Sequence, residues 1–162
     1  MNQIIELPVA PLETPVAGLI PASVPAVRTD AVYVLFTSID DTMDAVRVAD
    51  GLARAMDVPL TLVHFRTIPY ALPVDRPTGL SPVETQWFAE RLRAEGLAVR
   101  VRVYLCRNER QTIPWAFKPH SLIVLAGRQG WWPGAGDAQR LRRLLEAAGH
   151  FVVLVGGAGN QE

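Results

Sequence analysis

Short apolar runs alternate with segments of helical periodicity along most of this chain. One run, residues 99–105, alternates Val and Leu with Arg and Tyr, as a strand with one polar face does, and we expect it at a sheet edge. The other four runs are almost continuously apolar, which is typical of strands buried on both faces: residues 31–36, 59–65, 121–126 and 151–155. Helical crossovers between strands make the sheet parallel. The pattern predicts an α/β fold with three layers and an open, five-stranded parallel sheet.

The helical segments have recognisable starts and stops. Helices are predicted at about residues 42–56 and 137–148, with a short one limited by Pro114. Another begins at a capping box formed by Ser81 and Glu84 and stops at Gly96. Ligands of such sheets bind at the carboxyl ends of strands beside the switch point, so the loops after the first and fourth predicted strands are the candidate site.

The first 30 residues differ from the rest of the chain. They contain five prolines and only four charged residues, which prevents a continuous helix, a signal peptide or a membrane span. We interpret residues 1–30 as an extended arm that lies on another surface, with a floppy tail as the alternative. The α/β domain is predicted over residues 31–157 and a C-terminal tail over residues 158–162.

Charge and cysteine content exclude several classes of partner. Sixteen basic and sixteen acidic residues give a net charge of zero, so no global field attracts nucleic acid or an anionic membrane. The single Cys106 cannot form an intramolecular disulfide, which fits a reducing compartment. We therefore expect a cytoplasmic protein that binds no nucleic acid and does not insert into a membrane.

Three segments carry a resemblance to a known family. They are the turn at residues 40–42 after the first strand, the second strand at residues 58–65, and SLIVLAGRQG at residues 121–130. They resemble the corresponding motifs of the universal stress protein family. The resemblance implies strand order 3-2-1-4-5, with the five predicted strands numbered along the chain. It also implies a small dimeric stress-response domain that binds ATP or AMP in some members and no nucleotide in others.

The family's ATP motif is incomplete here. It has G-x-x-G followed, after nine intervening residues, by G-[ST], whereas Arg140 and Leu141 stand at the second pair. The resemblance implies that any remaining nucleotide contacts involve Asp40, Thr42, Gly127, Arg128 and Gly130.

Two further features disfavour a phosphate group at this site. Asp41 stands where the family has glycine and adds negative charge, and the bulky pair Trp131 and Trp132 follows the glycines. We expect no cofactor, with AMP or ATP as the alternative.

No catalytic constellation is evident in the sequence. Asp40 and Asp41 are neighbours that suit a helix start, and neither a nucleophile with its base nor a metal-binding cluster stands out. We predict a non-enzymatic interaction or accessory protein, either a homodimer or a subunit of a larger complex; the alternative is an adenine-nucleotide-sensing stress regulator. It docks through its arm, its Trp loop and a sheet edge, by residues Ile4, Ile5, Leu7, Leu12, Leu19, Ile20, Trp131, Trp132, Phe151 and Val153.

Overall fold

The computed structural model describes residues 3–7, 29–71, 83–127 and 135–156. The elements in chain order are β1 (Gln3–Leu7), β2 (Val32–Leu35), α1 (Ile39–Met56), β3 (Leu60–Thr67), α2 (Val83–Ala94), β4 (Arg100–Cys106), α3 (Glu109–Thr112), a 3-10 turn (Ile113–Trp115), β5 (Leu122–Ala126), α4 (Ala135–Ala147) and β6 (Phe151–Val155).

The strands form one sheet in the order β1-β4-β3-β2-β5-β6. β2 to β6 are mutually parallel and correspond to the five strands predicted from the sequence. Their order, in the numbering used for the prediction, is 3-2-1-4-5, so the predicted parallel sheet and its order are confirmed.

The N-terminal segment adds a sixth strand to this sheet. β1 runs antiparallel to β4, with Gln3 opposite Leu105 and Leu7 opposite Val101. The expectation that the alternating strand lies at the edge is therefore wrong, because β1 covers it. The alternation has another cause: Tyr104 and Cys106 lie on the second face of β4 but are buried with Ile113 of the 3-10 turn, and only the amino-terminal half of that face carries Arg.

Helices cover both faces of the sheet and complete the predicted three layers. On one face, buried residues of α1 and α2 pack on the strands: Met43, Val46, Ala49, Leu52, Phe88 and Leu92. On the other face, the core contains residues from the 3-10 turn, its following loop and α4: Ile113, Phe117 and Leu145. The change of face occurs between β2 and β5, which makes their carboxyl ends the switch point of the sheet.

The start of α1 is fixed by a side-chain cap. The hydroxyl of Ser38 accepts a hydrogen bond from the backbone N–H of Asp41, and the helix begins at Ile39, three residues before the predicted start. It ends at Met56, and the C-cap residue Asp57 is in the left-handed region with φ 53°. The predicted capping box begins at Ser81, outside the described residues. Within the described ranges, no helix has both the length and the apolar character needed to cross a bilayer.

Candidate functional site

The loop after β2 is held by its own polar groups. The buried Thr42 hydroxyl accepts a hydrogen bond from the backbone N–H of Thr37 at 3.1 Å, and so ties the first turn of α1 to the end of the strand. The backbone N–H of Phe36 donates to the carbonyl of Val63 in β3 at 2.8 Å. Thr42, predicted as a nucleotide contact, therefore lies beside the switch point and has an acceptor role within the fold.

The amino terminus of α1 already carries negative charge. The Ser38 hydroxyl donates to Oδ2 of Asp41 at 2.8 Å and accepts from the N–H of the same residue at 3.4 Å. Asp40 is the second residue of the helix. A carboxylate in the first turn interacts favourably with the helix dipole and repels a phosphate brought to the same place.

Gly127 closes the opposite side of the switch point. Its backbone N–H donates to the carbonyl of Val155 at 3.0 Å and so extends the β5–β6 pairing by one bond. A Cβ added at Gly127 would lie 2.8 Å from the Cβ of Ala138 in α4. The close approach of α4 thus gives a packing reason for this glycine, independent of any phosphate.

Several predicted site residues cannot be placed. Arg128 and Gly130, which complete the predicted nucleotide cradle, lie outside the described residues. The same holds for two residues of the Trp loop and three of the arm: Trp131, Trp132, Leu12, Leu19 and Ile20. Ile4, Ile5 and Leu7 belong to β1 and occupy register positions opposite β4 of the same chain.

A mostly apolar cleft lies beside the end of β2, on the face covered by α1 and α2. Its volume is about 220 Å³, and its walls are Phe36, Ser38, Ile39, Leu62, His64, Phe88 and Val101. The rings of Phe36 and His64 have centroids 4.4 Å apart at an interplanar angle of 35°, and Phe88 meets Phe36 edge-on at 5.6 Å. This cleft has the walls for a small planar group and offers little for an anion.

The sequence alone assigns no site role to His64 or Phe88 and does not predict this cleft. The two rings lie on β3 and α2, and their contacts with Phe36 depend on the packing of α2 across the sheet. One signal was available, because Phe36 is the last residue of the first predicted strand, at its carboxyl end. Neither His64 nor Phe88 has a comparable local signature.

The outer strand β6 has apolar side chains that are only partly covered. Phe151 is 42% exposed, and the other four residues are half-buried. β6 pairs with β5 on one side, and among the described strands none pairs with its other side. Phe151 and Val153 are the two residues of β6 that were predicted to contact a partner. Val153 packs against the α1 face of the core, so Phe151 is the more accessible of the two.

The backbone of β6 has donors and acceptors directed away from the sheet. The N–H of Phe151 donates to Ser121 and the carbonyl of Val155 accepts from Gly127, so these residues pair towards β5. Since successive residues of a strand direct their N–H and C=O groups to alternate sides, Val152 and Leu154 direct theirs outwards. β6 therefore has the features of an edge that can accept another strand.

A second polar cluster holds the ends of β3 and β4. The Arg107 guanidinium donates to the carbonyl of Ile68 at 3.1 Å and to that of Pro69, and lies 5.2 Å from the centroid of the exposed Tyr70 ring. Cys106 is fully buried, and burial raises the pKa of its thiol. The cluster is thus structural, and a buried thiol with a raised pKa is a poor nucleophile.

No group of three or more His, Cys, Asp or Glu suited to a metal ion occurs in the part of the chain that the structure describes.

His150 is buried, meets Phe117 edge-on at 5.8 Å, and burial lowers the pKa of its imidazole. Trp87 on α2 is 45% exposed and has the Arg91 guanidinium 5.6 Å from its ring centroid.

The chain is similar to three solved structures. A universal stress protein from Archaeoglobus fulgidus superposes with a TM-score of 0.52 at 17% identity, covering 78% of this chain and 98% of that one. A protein of the universal stress protein family from Burkholderia pseudomallei gives 0.45 at 18% identity over 81% and 98% of the two chains. A macrolide-efflux protein from Streptococcus pneumoniae gives 0.44 at 17% identity over 82% and 47%.

No protein-family signature and no curated protein matches the sequence. The topology of β2 to β6 and the superposition on the Archaeoglobus protein agree, so the chain has a universal-stress-protein-like α/β fold.

Proposed function

We propose that this chain is a non-enzymatic interaction protein that self-associates through the outer edge of β6, with a switch point that no longer functions as a phosphate site. The observation that carries this proposal is the β6 edge, where unpaired backbone groups lie beside half-buried apolar side chains. Such an edge in a soluble chain requires a covering strand or a device against aggregation. The strand itself, FVVLV, contains no charge and no proline.

The polar groups at the switch point support a non-catalytic role. Thr42 accepts a hydrogen bond from the loop after β2. Ser38 caps α1 and donates a hydrogen bond to Asp41. General acid–base chemistry needs a group held within reach of a substrate, and these groups are used by the fold. Close packing against Ala138 accounts for Gly127. The same groups therefore support a structural reading of motifs that resemble a nucleotide site.

The experiment compares the molar mass of the full-length chain with that of edge variants by light scattering. Phe151→Lys places a charge at the edge, and Val48→Lys on α1 is the matched control because the two side chains are 42% and 40% exposed. We expect a dimer for the wild type and for Val48→Lys, and a monomer for Phe151→Lys. A monomeric wild type, or a Phe151→Lys variant with the wild-type mass, contradicts the proposal.

The cleft supports a second candidate, an adenine-nucleotide sensor. Phe36, His64 and Phe88 provide aromatic walls for a base, whereas Asp41 disfavours the phosphates. Calorimetric titration with adenosine, AMP and ATP separates the two functions. Saturable micromolar binding that is lost in Phe36→Ala supports the sensor, while a flat titration of the folded protein supports the interaction protein.

A further inference from the structure

We propose that the β4 edge is a strand-acceptor site and that β1 exchanges between two copies of this chain, each copy placing its β1 on β4 of the other. The structure has β1 on β4 of the same chain. The exchange keeps the same β1–β4 backbone hydrogen bonds, but they join two chains and not two segments of one chain. It rests on the proposed self-association, because association raises the local concentration of the second copy.

β1 is an addition to a sheet that is already complete. The five parallel strands and their helices form the core on both faces, and the Archaeoglobus protein shares that fold. β4 is the element with which β1 makes its main contacts. A strand held chiefly by one neighbour can leave and return without opening the core.

The connection to β1 is much longer than the pairing within one chain requires. β1 is antiparallel to the rest of the sheet. Its last residue, Leu7, therefore lies at the end of the sheet where β2 begins at Val32, with β4 and β3 between the two strands. Three strand spacings amount to roughly 14 Å. The intervening residues 8–31 number 24 and can extend to on the order of 80 Å.

The length of the connection has a second consequence. A long connection lowers the effective concentration of β1 at its own β4 and so lowers the advantage of the intramolecular pair. When two copies are held together at β6, the β4 of the second copy comes within the roughly 80 Å span of residues 8–31, so reciprocal exchange competes with the intramolecular pair.

The register defines what the acceptor recognises. Glu6 stands directly opposite Arg102, and Ile5 directly opposite Val103, a residue buried with Ile68 and Leu105. Opposite charges at facing positions of an antiparallel pair stabilise it, and apolar facing pairs add burial. The acceptor therefore fits an extended apolar strand with one acidic residue, which is the sequence of β1 itself.

Disulfide trapping between two separately purified full-length proteins tests the exchange. Both carry C106A; one has I5C and the other V103C, so an oxidised I5C–V103C link can form only between chains. We expect an interchain disulfide between these positions, identified by peptide mass, in a fraction that rises with protein concentration. R102C in place of V103C is the matched control, because position 102 faces Glu6, and we expect far less of its disulfide.

The double variant I5C/V103C, again with C106A, shows whether the pairing exists within one chain. If it closes as a monomer while the mixture gives no interchain link at any concentration, the exchange is refuted. If neither disulfide forms, the β1–β4 register is refuted and the proposal with it. The same mixture with Phe151→Lys in both proteins keeps the two proposals separate, because an exchanged dimer and a β6 dimer have the same mass. A dimer without the interchain link refutes only the exchange, and an interchain link whose yield is unchanged by Phe151→Lys refutes only the β6 interface.

Discussion

Gly127 lies so close to α4 that a Cβ added to it would be 2.8 Å from the Cβ of Ala138. This contact, at the carboxyl end of β5, places the helix against the strand end where the sequence resembles a phosphate-binding motif. A role of Gly127 in packing and a role in ligand binding predict different results when the residue is replaced.

Gly127→Ala is expected to lower the free energy of unfolding by about 1–3 kcal/mol through overpacking. Ala138→Gly in the same chain should recover much of this loss, because it removes the facing Cβ. Urea unfolding of the two single variants and the double variant gives the coupling. Gly51→Ala is the control, since its Cβ meets nothing within 4 Å on α1, and it should stabilise the fold by roughly 0.5–1 kcal/mol. Strict additivity at 127 and 138 would contradict the packing role.

Ser38→Ala removes the side-chain cap of α1 and should cost about 1 kcal/mol of unfolding free energy. Ser38→Asp keeps an acceptor for the N–H of Asp41 and should cost less, although it adds a second carboxylate beside that residue. Thermal unfolding followed by circular dichroism ranks the three proteins. Equal stability of wild type and Ser38→Ala would mean that the cap contributes nothing.

Stability should depend on pH through His150. Burial lowers the pKa of this imidazole, so below its ordinary value of about 6.5 the unfolded chain binds a proton that the folded chain does not. The free energy of unfolding is therefore retained above about pH 6.5 and decreases as the pH falls below it, until the folded state also titrates. His150→Leu should reduce that loss most, whereas His120→Asn, which removes only a lesser cause of the lowered pKa of His150, should reduce it less. Urea unfolding midpoints measured above and below about pH 6.5 test this. If His150→Leu loses as much stability at low pH as the wild type, His150 is not the cause of the pH dependence.

Cys106 should react with thiol reagents only when the domain opens. The side chain is fully buried and burial raises its pKa, so both access and thiolate fraction are low. An A55C variant in a C106A background has its thiol on an exposed position of α1 and should react roughly tenfold faster or more. Comparable labelling rates in the native proteins would show that the region around β4 and α3 opens readily.

The parallel strands could be predicted because buried apolar runs and helical periodicity are local signals. Residues 121–126 and 151–155 identify strands without knowledge of their neighbours, and the family resemblance supplies the order. The position of β1 could not be predicted in this way. Its pairing with β4 is a contact between distant segments, and the alternation of β4 suggested a solvent-exposed edge where the structure has a neighbouring strand.

The candidate site was predictable in part for the same reason. Thr42 and Gly127 lie beside strand ends, as expected, but the bonds that engage Thr42 and Ser38 arise from the geometry of one turn. The aromatic walls of the cleft depend on α2 packing, which leaves no local mark on His64 or Phe88. The outward backbone groups of β6 follow only from its place in the strand order.

Residue-resolved hydrogen exchange of β6 at several protein concentrations tests the self-association most directly. The amides of Val152 and Leu154 point away from β5, whereas that of Val153 points towards it and serves as the internal reference. We predict that protection of the two outward amides increases with concentration, while that of Val153 is already high in dilute solution. Rapid exchange of Val152 and Leu154 at every concentration would contradict an interface at this edge.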